Sequence, residues 1–137
     1  MRYKIIDHTA DFGIHVFGEN EKALFEHAGL AMFELIVDAG RPGECRQQVV
    51  AVQGSDWPDL MVNWLRELLY LWTGEENILR SIAVAELTPY RISARVDLEP
   101  FQAKQHPVLN EIKAVTYHQI QAGPESDHWE AKIIFDV

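Results

Sequence analysis

The sequence predicts an α+β sandwich in which two main helices pack on a mixed or antiparallel sheet. Two segments repeat apolar residues at the helical period, and several shorter segments alternate apolar with polar residues. The 137 residues suit one domain, residues 1–137. A chain of this length can bury about two-thirds of its unfolded surface, so it needs no disulfide in order to fold.

The first helix is predicted to begin near Asn20, a favourable N-cap, with Glu21 in its first turn. Gly40 and Pro42 are predicted to end it. The apolar residues between these limits recur at helical spacing and form one buried stripe: Leu24, Ala28, Ala31 and Leu35.

The second helix is predicted to begin after Ser55 or Asp56. Pro58 then falls in the first turn, where its missing N–H breaks no intrahelical bond. Gly74 is the predicted C-terminal stop. The apolar face of this helix is broad and consists of Leu60, Met61, Trp64, Leu65, Leu68, Leu71 and Trp72.

Most of the remaining chain has the pattern of strands. Apolar and polar residues alternate strictly from Tyr90 to Leu98, which is typical of a sheet with one buried face. The same alternation covers Phe12 to Val16 and Trp129 to Phe135, and further strands are predicted within 49–52, 78–85 and 112–120. Loops are expected at 41–44, 99–107 and 122–128, which are rich in proline, glycine or polar residues.

Composition excludes several classes of protein. The net charge is −9, with 12 basic against 21 acidic residues, so stable unaided binding to nucleic acid is disfavoured. The acidic surface suits cations or a basic protein partner, or simply solubility. No apolar run is long enough to span a membrane, and no export leader is evident. The single cysteine, Cys45, cannot form an internal disulfide, so a cytoplasmic location is expected.

The usual catalytic motifs are missing from the sequence. It has no nucleophile elbow, phosphate-binding loop, dinucleotide fingerprint or zinc-type cysteine and histidine spacing. Cys45 is expected to be an inert thiol. The six histidines are scattered and are interpreted as surface or packing residues, although His8 and His118 lie within compact polar motifs.

Carboxylates are the remaining candidates for chemistry. Asp7 and Asp11 bracket the turn before a strand; Asp7 is interpreted as a turn residue, whereas Asp11 directly precedes the alternating segment. At the other end, Asp136 lies on the polar side of a strand, one residue from the α-carboxylate that Val137 would carry as the last residue. Hard oxygen donors suit Ca²⁺ or Mg²⁺ rather than zinc. If the two ends of the chain meet, Asp11 and Asp136 would lie close together on adjacent strands.

The chain resembles the archease family over essentially its whole length. The resemblance rests on DHTADFGI (7–14), EKALFEHAGLAMFEL (21–35), DLMVNWLRELLYL (59–71), EIKAVTYH (111–118) and WEAKIIFDV (129–137). DHTAD and KAVTYH, in this order and at this separation, form the specific part of the signal.

That resemblance implies an archease-like sandwich and an accessory role rather than an enzymatic one. Archeases support the RtcB-type tRNA-splicing RNA ligase by promoting its guanylation and its multiple turnover. The family carries a divalent metal, read as calcium, with magnesium or manganese as alternatives. By motif match the metal ligands would be Asp11, Asp136 and Val137.

Two other functions compete with an activator of the RtcB-type ligase. A chaperone-like modulator of RNA-modifying enzymes would act through apolar surface, without metal chemistry. A stand-alone metal-dependent phosphohydrolase is disfavoured, because two carboxylates without a general base or a basic phosphate clamp make a poor active site.

Overall fold

The computed structural model describes residues 2–7 and 11–137, and for Asp7 and Asp11 it describes the backbone alone. His8, singled out above as part of a polar motif, lies outside the described residues. Two helices and eight strands make up the described chain: β1 (Tyr3–Asp7), β2 (Asp11–Gly18), α1 (Glu21–Ile36), β3 (Arg46–Gln53), α2 (Trp57–Thr73), β4 (Asn77–Thr88), β5 (Arg91–Pro100), β6 (Ala114–Val115), β7 (Gln121–Pro124) and β8 (Trp129–Asp136).

The helices begin where their caps predict. The Asn20 side chain accepts a hydrogen bond from the Ala23 N–H at 2.9 Å, and Asp56 accepts one from the Asp59 N–H at 2.9 Å. Helix α2 ends at Thr73, and Gly74 is its C-cap, whose N–H donates to the Tyr70 carbonyl at 2.8 Å. Each helix is thus set by short-range chemistry at its N-terminus.

Helix α1 ends at Ile36, four residues before the predicted stop at Gly40. The segment 107–110 supplies the partners for its last carbonyls. The N–H groups of Leu109 and Asn110 donate to the Ile36 carbonyl at 2.8 and 3.3 Å, and the Asn110 amide donates to the Leu35 carbonyl at 2.6 Å. Hydrogen bonds from residues more than seventy positions away therefore cap the end of α1, and the local sequence could not predict them.

The strands form two sheets, and every pairing among the described residues is antiparallel. One sheet has five strands in the order β1-β2-β8-β6, with β7 also paired to β8; the other has the order β3-β5-β4. The predicted α+β class is confirmed, but its strands are divided between two sheets rather than one. Both helices contact strands of both sheets.

Three segments differ from the sequence-based expectation. Strand β1 was not predicted. The segment 112–120 contains only the two-residue β6, and β7 begins at Gln121 and runs into the predicted loop 122–128. In each case the strand is short or lacks clean alternation and is held by its neighbour β2 or β8.

The core lies between the helices and the sheets. Trp64 of α2 is fully buried, and its indole N–H donates to the Phe25 carbonyl of α1 at 3.0 Å. Gly29 allows α1 to pack closely against β4 and α2, since a Cβ there would lie 2.7 Å from side-chain atoms of Ile82 and Leu68. Neither helix is long and apolar enough to cross a membrane, in the part of the chain that the structure describes.

Candidate functional site

The two acidic residues that the sequence singled out lie opposite each other. In the antiparallel pairing of β2 with β8, Asp11 is the register partner of Asp136. The expectation that they occupy adjacent strands is therefore confirmed for the backbone. The first residue of β2 and the last residue of β8 meet at one end of the five-stranded sheet.

Asp136 is flanked on its other side by β6. Ala114 is its register partner there, and the Lys113 N–H donates to the Asp136 carbonyl at 2.8 Å. The backbone of Asp136 thus lies between β2 and β6, while the residue as a whole is exposed to solvent. Val137 follows with 40% of its surface exposed. The position is therefore fixed in backbone and open to solvent.

The chemistry of this donor set fits a hard divalent cation. Two aspartate side chains and a main-chain oxygen of Val137 would offer oxygen ligands only, which is the preference of calcium. Like charges directly opposite each other on a sheet are unfavourable, and a bound cation would remove that repulsion. The assignment of Asp11, Asp136 and Val137 as ligands stays a prediction.

A second polar cluster, missed by sequence reasoning, surrounds Glu99. One oxygen of Glu99 accepts from the Gly43 N–H at 2.9 Å and from Arg80 Nε at 2.7 Å, and the other lies 3.1 Å from His106 Nε2. His106 Nδ1 accepts from the Gln102 N–H at 2.9 Å, so Nε2 carries the ring proton and donates to Glu99. Glu99 and His106 are both buried, at 6% and 3% exposure.

This cluster organises the segment 39–43. Burial by itself raises the pKa of Glu99, but the hydrogen bonds from Gly43 and Arg80 and the Arg80 charge outweigh it, so the pKa is lowered. The Arg80 guanidinium also donates to the carbonyls of Ala39, Gly40 and Arg41 at 2.6–2.9 Å. These donors are thus occupied by the protein itself, which makes the cluster structural.

A third array lies on the sheet face that β2 and β8 share. The two oxygens of Glu130 lie 3.0 Å from His15 Nε2 and 2.7 Å from His128 Nε2, and Asp127 lies 2.6 Å from His128 Nδ1. The hydrogen bonds to Asp127 and Glu130 raise the pKa of His128. Those from His128 and His15 lower the pKa of Glu130. The imidazole of His128 is therefore biased towards its charged form.

Cys45 and His118 were also singled out in the sequence. Cys45 is exposed, but partial desolvation of its thiol, followed by the charge of Glu99, raises its pKa. A raised pKa reduces the thiolate fraction, as expected for an inert thiol. The His118 N–H donates to Thr116 Oγ1 at 3.2 Å within the turn that follows β6.

Comparison with known proteins gives one consistent result. The model of the Archease protein family (MTH1598/TM1083) matches residues 3–137. The chain is 35% identical to Protein archease of Methanosarcina acetivorans over 140 aligned positions, covering 99% of this chain and 96% of that protein. It is 32% identical to Protein archease-like of Drosophila melanogaster, covering 100% and 91%.

Two solved structures share the fold. The solution structure of Methanobacterium thermoautotrophicum protein 1598 superposes with a TM-score of 0.76 at 26% identity, covering 99% of both chains. The crystal structure of a Thermotoga maritima archease, described as a possible chaperone, gives a TM-score of 0.62 at 20% identity, covering 100% of this chain and 98% of that one. The second likeness supports the fold alone. The names of these proteins refer to a family and not to a catalysed reaction.

Proposed function

The chain belongs to the archease family, and from that premise we propose that it is a non-enzymatic activator of an RtcB-type tRNA-splicing RNA ligase. Its part would be to promote guanylation of the ligase and to sustain multiple turnover, by means of a divalent cation held at Asp11, Asp136 and Val137. Calcium is the preferred ion, with magnesium or manganese as alternatives.

The observation that carries the proposal is the register of Asp136 with Asp11. Two acidic residues directly opposite each other on a sheet destabilise the fold, and a bound cation would offset that repulsion. Because the backbone of Asp136 is held between β2 and β6, little backbone entropy would be lost when its side chain binds a cation. This supports a preorganised site rather than a chance pair of surface charges.

The charge of the chain supports a protein partner over an RNA partner. With a net charge of −9, the chain would be repelled by a phosphate backbone but attracted to the basic surface of an RNA-binding enzyme. Guanylate transfer from GTP requires divalent cations that neutralise phosphate charge. The residues proposed here would hold such an ion beside the ligase, and the transfer chemistry would remain that of the ligase.

The test is ligation by a purified RtcB-type ligase at limiting concentration, with RNA substrate in excess, with and without this protein. Transfer of labelled guanylate from GTP to the ligase is measured in parallel. We expect turnover to exceed one equivalent only when the protein is present. Asp136→Ala should lose this effect, whereas Glu67→Ala, which removes an exposed carboxylate on α2, should keep it.

The outcomes separate the competing functions. Equal ligation with and without the protein would reject the activator role. Activation that survives Asp136→Ala would reject the metal and favour the chaperone-like modulator. That alternative would act through exposed apolar side chains such as Val108 and Leu109, which are 52% and 54% exposed.

A further inference from the structure

Strand β6 is too short to hold its own place beside Asp136. It contains only Ala114 and Val115, and among the described strands it pairs with β8 alone. Two residues of antiparallel ladder contribute few hydrogen bonds, so contacts outside the sheet can add to the stability of β6 at this position. The same strand is the neighbour that fixes the backbone of Asp136 on the side away from β2.

Helix α2 provides the first of these contacts. The Tyr117 hydroxyl donates to Asp59 Oδ1 at 2.6 Å. Asp59 is itself fixed, because its other oxygen accepts from the Ser55 N–H at 2.8 Å and from Ser55 Oγ at 3.2 Å. The Tyr117 hydrogen bond lowers the pKa of Asp59, and the same bond raises the pKa of Tyr117. At neutral pH the contact is therefore a charge-assisted bond between a phenol and a carboxylate.

Arg66 provides the second contact, two turns along the same helix. Its Nε donates to the Val115 carbonyl at 3.1 Å, and its guanidinium carbon lies 4.7 Å from the centroid of the Tyr117 ring. Arg66 therefore binds the backbone of β6 and the ring that follows it at once. A planar guanidinium is suited to this double role, which an ammonium group could not fill in the same way.

The opposite side of the segment is bound to β8 by backbone groups. The Lys113 N–H donates to the Asp136 carbonyl at 2.8 Å, and both the N–H and the hydroxyl of Thr116 donate to the Ile134 carbonyl, at 3.1 and 2.9 Å. The segment 113–117 is thus held to α2 through the side chains of Asp59, Arg66 and Tyr117, and to β8 through backbone hydrogen bonds and the Thr116 hydroxyl. If α2 moved or lost its contacts with this segment, β6 would shift, and with it the backbone of Asp136.

We propose that Asp59, Arg66 and Tyr117 are positioning residues for the cation site at Asp136. They would not touch the ion; they would hold β6 and thereby the backbone of the ligand-bearing residue. The inference rests on the proposed function, since it assumes that Asp136 binds a cation. It adds two residues of α2, Asp59 and Arg66, and Tyr117 after β6, on which the affinity of the site depends.

The test variant is Tyr117→Phe, which removes one oxygen atom and keeps the ring that Arg66 covers. Tyr70→Phe is the matched control, because Tyr70 lies on α2 and is 53% exposed. Calcium affinity is measured by titration calorimetry, and amide hydrogen exchange is measured at Lys113 and Thr116. We expect the calcium Kd of Tyr117→Phe to rise about tenfold, the low end for residues that orient metal ligands. Exchange at both amides should accelerate, and Tyr70→Phe should match wild type.

A double-mutant cycle on the calcium Kd tests whether Asp59 and Tyr117 act through the same contact. Asp59→Asn should weaken calcium binding in the same direction, and the double variant should add little to either single change, because one contact carries both effects. Faster exchange or a lower melting temperature with an unchanged calcium Kd would overturn the inference. Additive effects on Kd would also overturn it.

Failure of the inference is distinguishable from failure of the proposed function. If wild type binds no calcium, magnesium or manganese, the cation site itself is wrong, and the positioning role falls with it. If wild type binds calcium and Asp136→Ala does not, the site stands, and an unchanged Kd in Tyr117→Phe rejects the positioning role alone.

Discussion

Arg80 and Glu99 form an ion pair of 2.6 Å in which 11% and 9% of the two side chains are exposed. The pair joins β4 to the C-terminal end of β5 and lies beside the segment 39–43 that follows α1. Buried ion pairs contribute little net stability against an apolar alternative, but a buried charge that loses its partner is costly. The pair is therefore a position at which single substitutions should be severe.

Glu99→Ala should destabilise the fold by about 3–5 kcal/mol, the cost of leaving a buried partner unpaired. It would strand the guanidinium of Arg80, the Gly43 N–H and the ring N–H of His106. Urea unfolding followed by circular dichroism measures the change. Glu86→Ala is the control: its ion pair with Arg91 is longer, at 3.8 Å, and mostly exposed, so its loss should cost less than about 1 kcal/mol. Equal costs for the two variants would contradict this account.

The His128 imidazole should titrate above its ordinary pKa of 6.5. Since its folded pKa is raised, the stability that His128 contributes is fully present below about pH 6.5 and is lost as pH rises through the raised value. Proton NMR of the ring resonances gives the pKa directly. Asp127→Asn and Glu130→Gln should each move it back towards 6.5, and Asp127→Asn should move it further. A His128 pKa at or below 6.5 in wild type would show that the hydrogen bonds do not hold in solution.

Calcium should raise the melting temperature of the protein. A ligand that binds only the folded state adds RT ln(1 + [L]/Kd), about 2.7 kcal/mol at a hundredfold excess over Kd. For a chain of this size that corresponds to a rise of several degrees. Asp136→Ala should remove most of the rise and leave the calcium-free melting temperature near that of wild type. Melting curves that do not respond to millimolar calcium or magnesium would argue against a cation at this sheet end.

Asp11→Ala should abolish activation of the ligase and leave the protein folded. Asp11 faces Asp136 in the register, so removing one acidic residue should relieve like-charge repulsion in the metal-free state. The stability change should stay within about 0.5–1 kcal/mol, as for ordinary surface changes. Multiple-turnover ligation and circular dichroism are measured side by side. A folded Asp11→Ala protein that activates normally would exclude the metal-based proposal and leave the chaperone-like alternative.

The sequence was informative wherever a short-range signal determines structure. The N-caps Asn20 and Asp56 and the C-terminal Gly74 mark helix ends through bonds within four residues. The strict alternation of β5 reflects one buried face, which local pattern alone reveals, whereas β8 alternates only as far as Ile133, because Ile134 is buried as well. The carboxylates at Asp11 and Asp136 could be chosen as candidates by residue type and position.

Long-range partnerships were beyond the reach of the sequence. Strand β1 contains the adjacent pair Ile5 and Ile6, which breaks the alternation, and it is defined by its pairing with β2. The Glu99 cluster joins residues 19 positions away in one direction and 7 in the other, with no spacing rule that connects them. The α2 contacts with Tyr117 cross 51 or more positions and follow from packing.

Strand β8 pairs with β2, β6 and β7, although all other strands precede it along the chain. During synthesis, which proceeds from the N-terminus, β1 and β2 emerge while three of the five strands of their sheet are still untranslated. Helix α1 follows β2 at once and can cover the hairpin, but the free edge of β2 has no partner strand until β8, more than one hundred residues later. Closing so large a loop is slow, so the rate of folding should be set by the arrival and docking of β8. The sheet end where Asp11 meets Asp136 would then be one of the last parts of the molecule to form, and a chain cut short before β8 would be exposed to aggregation rather than merely inactive.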